Sequence, residues 1–212
     1  MNKKAIYVVR VNNYFPELCE LTIPRIKAYA HRIGADYIEI TEQKYAEWSP
    51  LYEKMQIHEL GKNYEWNILI DADYIIHPQA PDFTLGLDPS YVGVMYAFPA
   101  DVMFKHGMYF KRDGRNLGLS GQFMITSQLT HDLWIPFEFG VEEAKDWMNN
   151  RSYINFDELC MSRNLARYGL KFTGLEYNQQ IKYFFVHLSL AKCNKDEVIA
   201  RTKTIIESQS LL

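Results

Sequence analysis

Residues 66–76 read Trp66-Asn67-Ile68-Leu69-Ile70-Asp71-Ala72-Asp73-Tyr74-Ile75-Ile76. Large apolar residues run straight into two carboxylates one residue apart, and more apolar residues follow. A short unbroken apolar run reads as a strand buried on both faces. Its carboxylates then fall at the carboxyl edge of a parallel sheet, where open α/β folds bind their ligands. Two bare carboxylates buried together are costly unless a cation or hydrogen-bond donors compensate them. On extended chain, residues i and i+2 point the same way, so Asp71 and Asp73 can reach one metal ion. The other reading of the pair is an exposed strand end with caps and ion pairs.

Working outward, Ala5 to Val11 reads as a first strand, ending in the polar turn Asn12-Asn13-Tyr14. Pro16 opens a helical stretch that Pro24 is expected to interrupt or restart, with Leu18, Leu21, Ile26, Ala30 and Ile33 on its apolar side. Gly34 stops it, and Asp36 to Ile40 alternates as a strand, completing a βαβ unit. Ser49-Pro50 starts a helix whose buried side includes Leu51, Met55 and Leu60. After the acidic strand, Tyr91 to Phe98 is a strand closed by Pro99. Asp101 to Gly118 reads as a loop that covers or shapes a site.

Ser120 to Thr126 is a strand entered through a tight turn, and Thr130 caps a short helix. Asn155 and Glu158 have capping-box spacing for a helix that ends at Gly169. Leu170–Thr173 and Tyr183–Val186 are late strands. Asn194 caps a final helix carrying Val198, Ile199, Thr202, Ile205 and Ile206. Helices and strands alternate throughout, so the fold class is α/β in one domain spanning residues 1–212.

Composition narrows the partners. The 23 Lys plus Arg against 26 Asp plus Glu give a net charge of −3, so no global basic field recruits nucleic acid. The 3 cysteines, Cys19, Cys160 and Cys193, are too few and scattered for a disulfide framework or thiolate zinc site. A reducing, cytoplasmic setting suits them. No run approaches the roughly 20 apolar residues of a membrane span. The N-terminal apolar run stops at Arg10 without a small-residue cleavage site and reads as a strand rather than a signal peptide.

Three further groups carry chemistry. His187 follows Tyr183-Phe184-Phe185-Val186, at the end of another apolar strand. Imidazole suits Mn²⁺, and two carboxylates plus a histidine leave coordination positions open for phosphate oxygens; a structural histidine is the alternative. Asp157 and Glu158 open a helix, either as capping groups or as contacts to sugar hydroxyls and a developing anomeric charge. Ser120-Gly121-Gln122 lets backbone approach a ligand closely, or is an ordinary turn.

Taken together, the apolar strand and Asp71-Ala72-Asp73 resemble the DxD motif of GT-A-type, metal-dependent nucleotide-sugar glycosyltransferases. The resemblance implies a GT-A (Rossmann-like) fold with a central, mostly parallel mixed sheet flanked by helices. It implies that Val9, Arg10 and Asn12 face the nucleotide and that Lys54 matches a lysine often found before the DxD strand. Asp71, Ala72, Ser120, Gly121 and Gln122 would line the nucleotide-sugar, with Lys192 near the diphosphate. Asp71, Asp73 and His187 would hold Mn²⁺ or Mg²⁺, and Asp157 and Glu158 would be the catalytic acidic pair. The late segment departs from the retaining pattern by lacking its glycine and its Lys-Pro-Trp ending. The implied reaction moves a hexose or deoxyhexose from a UDP-sugar donor to a glycan or glycoprotein acceptor, with retention favoured by the histidine.

Two rivals share these residues. A HAD-type phosphatase would use Asp71 as nucleophile and Asp73 as acid–base, but needs a later acidic pair and an earlier strand position than this chain offers. A non-catalytic carbohydrate- or nucleotide-binding module would keep the fold without turnover.

Overall fold

The computed structural model describes residues 3–95, 97–99, 117–147, 156–175, 184–188 and 194–210. Its centre is a six-stranded sheet in the order β2-β1-β3-β8-β5-β9. These strands are β1 (Lys4–Val9), β2 (Ala35–Ile40), β3 (Trp66–Ile70), β5 (Tyr91–Val94), β8 (Phe123–Ser127) and β9 (Lys171–Gly174). β1 pairs in parallel with β2 and β3, and β5 with β9; β8 runs antiparallel between β3 and β5. All the strands except β8 therefore point one way. The sheet is mostly parallel and mixed, as the sequence resemblance implies.

Apolar runs make the central strands. Every residue of β3 and of β8 is buried, which suits strands covered on both faces. Alternate residues feed two cores. Tyr7 and Leu69 pack with Trp48, Tyr52, Met55, Leu159 and Met161 on one face. Ile6, Val8, Ile68 and Ile70 pack with Ile23, Ile26 and Tyr29 on the other.

The second face is covered by α1 (Pro16–Arg32), with Pro16 in its first turn. Pro24 lies inside this continuous helix and does not interrupt it. Its missing N–H frees only the carbonyl four residues back, on exposed Glu20, where water can serve it. Gly34 follows at φ +68°, the left-handed value expected of the glycine after a helix.

The segment after Ser49-Pro50 is a 3₁₀ run, Pro50–Gln56, that passes into the single α-turn α2 (Ile57–Leu60). Met55 is fully buried, but Leu60 is exposed, because the tighter 3₁₀ winding shifts which side meets the core. Tyr91 to Phe98 divides into β5 and β6 (Ala97–Pro99), the latter pairing with β7 (Leu117–Leu119) as a separate ribbon. Residues 100–116, most of the expected loop, lie outside the described residues. Ser127, rather than Thr130, caps the 3₁₀ run Gln128–Trp134; the Thr130 hydroxyl returns a bond from the Ser127 N–H.

The remaining helices are α3 (Val141–Trp147), α4 (Phe156–Arg167) and α5 (Lys195–Ser210). Asn155 lies outside the described residues, while Gly169 ends α4 at φ +62°. Asn194 accepts from the Asp196 N–H, as a cap should. A two-stranded antiparallel ribbon of β4 (Tyr74–Ile76) and β10 (Phe185–His187) completes the fold. No helix among the described residues is long and apolar enough to cross a membrane.

Candidate active site

The carboxyl ends of β1, β3 and β5 share an edge with the amino end of β8, so the chain leaves β3 facing the turn into β8. There the Asp71 N–H bonds the Gln122 carbonyl at 2.9 Å. Asp71 and Asp73 do not lie on extended chain. The Tyr74 N–H reaches back to the Asp71 carbonyl at 3.2 Å, so a tight turn carries the chain out of β3 and into β4. The two carboxylates consequently meet different partners.

Asp71 forms the partly exposed rim of a buried ionic cluster. Lys54 Nζ lies 3.0 Å from Asp71 Oδ1 and 3.0 Å from Asp157 Oδ2, and donates to the Gly121 carbonyl at 2.8 Å. An ammonium has three protons, and three acceptors surround it. Burial alone would lower the Lys54 pKa; Asp157 and Asp71 outweigh it and raise it above the usual lysine value. Lys54 therefore spends its charge on two carboxylates of the protein itself.

Asp157 is 1% exposed. It stands behind Gly121, at the amino end of α4, and Glu158 beside it accepts the Gly121 N–H at 3.1 Å. A side chain at Gly121 would meet Met161 Cε at 2.7 Å and Asp157 Oδ2 at 2.9 Å, so this close approach requires glycine. Burial, reinforced by Asp157, pushes the Glu158 carboxyl up to about 7. Burial likewise pushes Asp71 up to about 7, with Lys54 opposing and Asp73 adding.

Asp73 turns the other way. Its Oδ2 lies 3.3 Å from His187 Nε2, and its carbonyl accepts the Leu188 N–H at 3.0 Å. His187 is directly opposite Tyr74 in the β4–β10 register, and the two rings stack at 5.0 Å. Asp73 Oδ1 is buried and accepts no hydrogen bond from any described residue. A buried carboxylate oxygen with no donor is expensive unless something else compensates it.

These donors fit a divalent ion. Among the described residues, Asp73 and His187 are already together, Asp73 Oδ1 lacks a partner, and the acidic groups outnumber the one ammonium beside them. The third expected ligand, Asp71, is drawn toward Lys54. Among the described residues, no three His, Cys, Asp or Glu side chains are grouped as a ready metal cage.

The other expected residues are spread around the same edge. Val9 packs half-buried into the core, and Ser120 and Gly121 are buried at the turn into β8. Ala72 is buried within the acidic turn. Arg10 pairs with Glu39 on β2 at 2.7 Å, on the α1 side of the sheet and away from Lys54. Asn12 is exposed at φ +56° in a loop where Asn13 and Phe15 also have positive φ. Asparagine tolerates that conformation; phenylalanine at φ +28° is strained and is held by packing on Leu18 and Ile75. Lys192 lies outside the described residues.

Two residues escaped sequence reasoning. Thr22 is fully buried on α1, and its hydroxyl donates to the Ala72 carbonyl at 2.6 Å, tying the acidic turn to the helix. The signal was available: Thr22 sits between Leu18 and Ile26 on the apolar stripe, where a hydroxyl needs a partner. Tyr14 lies near both carboxylates. It is 37% exposed, yet partial burial, with Asp73 and Asp71 adding, holds its phenol above the ordinary value.

No family model matches the chain, and no curated protein matches it in sequence. Solved structures do. A glycosyltransferase involved in glycosylating the major capsid of PBCV-1 is 10% identical, with a TM-score of 0.56 over 95% of this chain and 99% of that one. The galactosyltransferase LgtC, in complex with donor and acceptor sugar analogs, is 12% identical, with a TM-score of 0.53 over 98% of this chain and 96% of that one. At such identities the likeness concerns architecture, and the chain has the GT-A glycosyltransferase fold.

Proposed function

We propose that this protein is a metal-dependent nucleotide-sugar glycosyltransferase, with Asp73 and His187 as the core of its cation site. One observation carries the reading. The acidic turn leaving β3 and the histidine ending β10, far apart in sequence, close to 3.3 Å at the sheet edge where this fold class binds ligands. Asp71 Oδ1 engages Lys54, and its second oxygen is the natural third ligand. Mn²⁺ or Mg²⁺ held there supplies Lewis-acid neutralisation of charge on a departing diphosphate.

The chain's own residues divide the remaining work. Lys54 and Asp157 position the Gly121 turn and hold Asp71. Asp157 is too buried to touch a substrate without moving, so it is a positioning residue. Glu158 is less buried, and a carboxyl titrating near neutrality can orient a sugar hydroxyl or take a proton from the acceptor. Tyr14 offers a phenolic donor beside the acidic turn. The donor is a UDP-hexose or UDP-deoxyhexose, the acceptor a glycan or glycoprotein, and the histidine favours retention.

The phosphatase reading loses ground because its nucleophile, Asp71, is pinned to Lys54 and pushed toward protonation. The test is incubation with UDP-, GDP- and CMP-sugars, with and without Mn²⁺, followed by product analysis. Mn²⁺-dependent consumption of a UDP-sugar that is lost in Asp73→Ala supports the proposal. Binding without turnover across the panel would make the protein a binding module.

A further inference from the structure

The acidic turn and β4 do not belong to the central sheet, so something else must fix them. α1 does so at both ends. Thr22 Oγ1 donates to the Ala72 carbonyl before β4, and one turn further on Arg25 Nη1 donates to the Ile76 carbonyl at its end, at 3.2 Å. Between them Leu18 packs with Ile75 of β4, Leu188 beyond β10 and Val198 of α5.

Arg25 also reaches further. Its Nη1 donates to Gln209 Oε1 at 3.1 Å and its Nη2 to the Ile206 carbonyl at 3.4 Å, both in the last turns of α5. The negative end of the helix dipole lies there, which suits a cation. Nη1 alone thus joins β4 to α5, and Nη2 adds a second hold on α5; a lysine's single nitrogen could keep the first link but not both.

We infer that Arg25 is a positioning residue: by bridging β4 to the carboxyl end of α5, it fixes the β4–β10 ribbon and hence the approach of His187 to Asp73. Among the described residues the ribbon pairs Phe185 with Ile76, Val186 with Ile75 and His187 with Tyr74, flanked by the His77 N–H to the Phe184 carbonyl and the Leu188 N–H to the Asp73 carbonyl. So short a ladder is marginal alone. A shift of one residue would turn His187 to the opposite face. α5 therefore acts on the candidate cation site through Arg25 and the shared apolar patch, without touching it.

The part concerning the cation rests on the function proposed above; the part concerning the ribbon does not. Two measurements separate them. Amide hydrogen exchange of Arg25→Gln, without metal, should be at least tenfold faster in Tyr74–Ile76 and Phe185–His187, with β1 and β3 unchanged. Arg25→Lys, which keeps one donor nitrogen and loses the Nη2 contact, should fall between wild type and Arg25→Gln. Arg163→Met, which removes the Glu138 pair from the other face of the sheet, controls for general loss of stability and should leave ribbon exchange unchanged. Mn²⁺ affinity, read from the paramagnetic signal of the free ion, should fall about tenfold in Arg25→Gln and stay unchanged in Arg163→Met.

Unchanged ribbon exchange in Arg25→Gln would overturn the inference, as would equal acceleration in β1 and β3, which would make general loss of stability the cause. Faster ribbon exchange in Arg25→Gln, together with a wild-type protein that binds no Mn²⁺, would sustain the bridge and sink the metal reading instead.

Discussion

Lys54 Nζ and Asp157 Oδ2 lie 3.0 Å apart with both side chains nearly sealed from solvent. The pair joins the 3₁₀ run before β3 to the amino end of α4, and Gly121 passes between. Removing one member of a buried pair leaves the other as an uncompensated charge, at a cost of about 3–5 kcal/mol. Lys54→Met should therefore lose about that much stability in urea unfolding. Lys54→Met combined with Asp157→Asn should recover a large part of it. Recovery in the double variant is the informative result, because independent effects would add instead.

Gly121 makes that arrangement possible. A methyl group there collides with Met161 and Asp157. Gly121→Ala should cost about 1–3 kcal/mol through overpacking. It should also weaken nucleotide-sugar binding, since relief requires Asp157 to move and Lys54 with it. Denaturation and calorimetric titration on the same preparation check both halves.

The raised carboxyls give a pH signature with a definite sign. Asp71 and Glu158 titrate near 7 in the folded protein and near 4 when unfolded, so between those values the folded state binds more protons. Stability contributed by these groups falls as pH rises from about 4 to about 7 and is level beyond. Metal-free protein should be more stable to urea at pH 5.5 than at pH 8. Mn²⁺ favours the ionised forms, so its binding at pH 6.5 should release protons, measured as a dependence of calorimetric heat on buffer ionisation enthalpy.

Thr22 tests the anchoring of the acidic turn. Thr22→Val keeps shape but leaves the Ala72 carbonyl without its donor, at a cost of about 1–3 kcal/mol. Thr22→Ser should restore most of the loss. If the turn matters to the site, Mn²⁺ affinity should follow the same order across the series.

Much of this architecture was legible in the chain. The unbroken apolar run of β3 and the strand–helix–glycine–strand order from Ala5 to Ile40 pointed to the class and the sheet edge; the late strand expected at Tyr183–Val186 is Phe185–His187, outside the central sheet, with Tyr183 beyond the described residues. What sequence could not give was the path of the acidic turn. Asp71 and Asp73 read as neighbours on one extended face, yet a backbone bond from Tyr74 to Asp71 folds them toward separate partners. Nor could spacing show that Lys54 would pair with both Asp71 and Asp157, or that Arg10 would pair across to Glu39. Those outcomes depend on which side chains meet across distant elements. Local periodicity carries no record of that. Pro24 failed as a helix stop for a related reason: packing along α1 outweighs one missing hydrogen bond.

The most direct test of the account is calorimetric titration of UDP into wild-type and His187→Ala protein, with and without Mn²⁺, alongside their melting temperatures. The account predicts that Mn²⁺ tightens UDP binding at least tenfold in the wild type, and that His187→Ala abolishes this gain while remaining folded. Equal UDP affinity with and without Mn²⁺, or a gain that survives in His187→Ala, would contradict it.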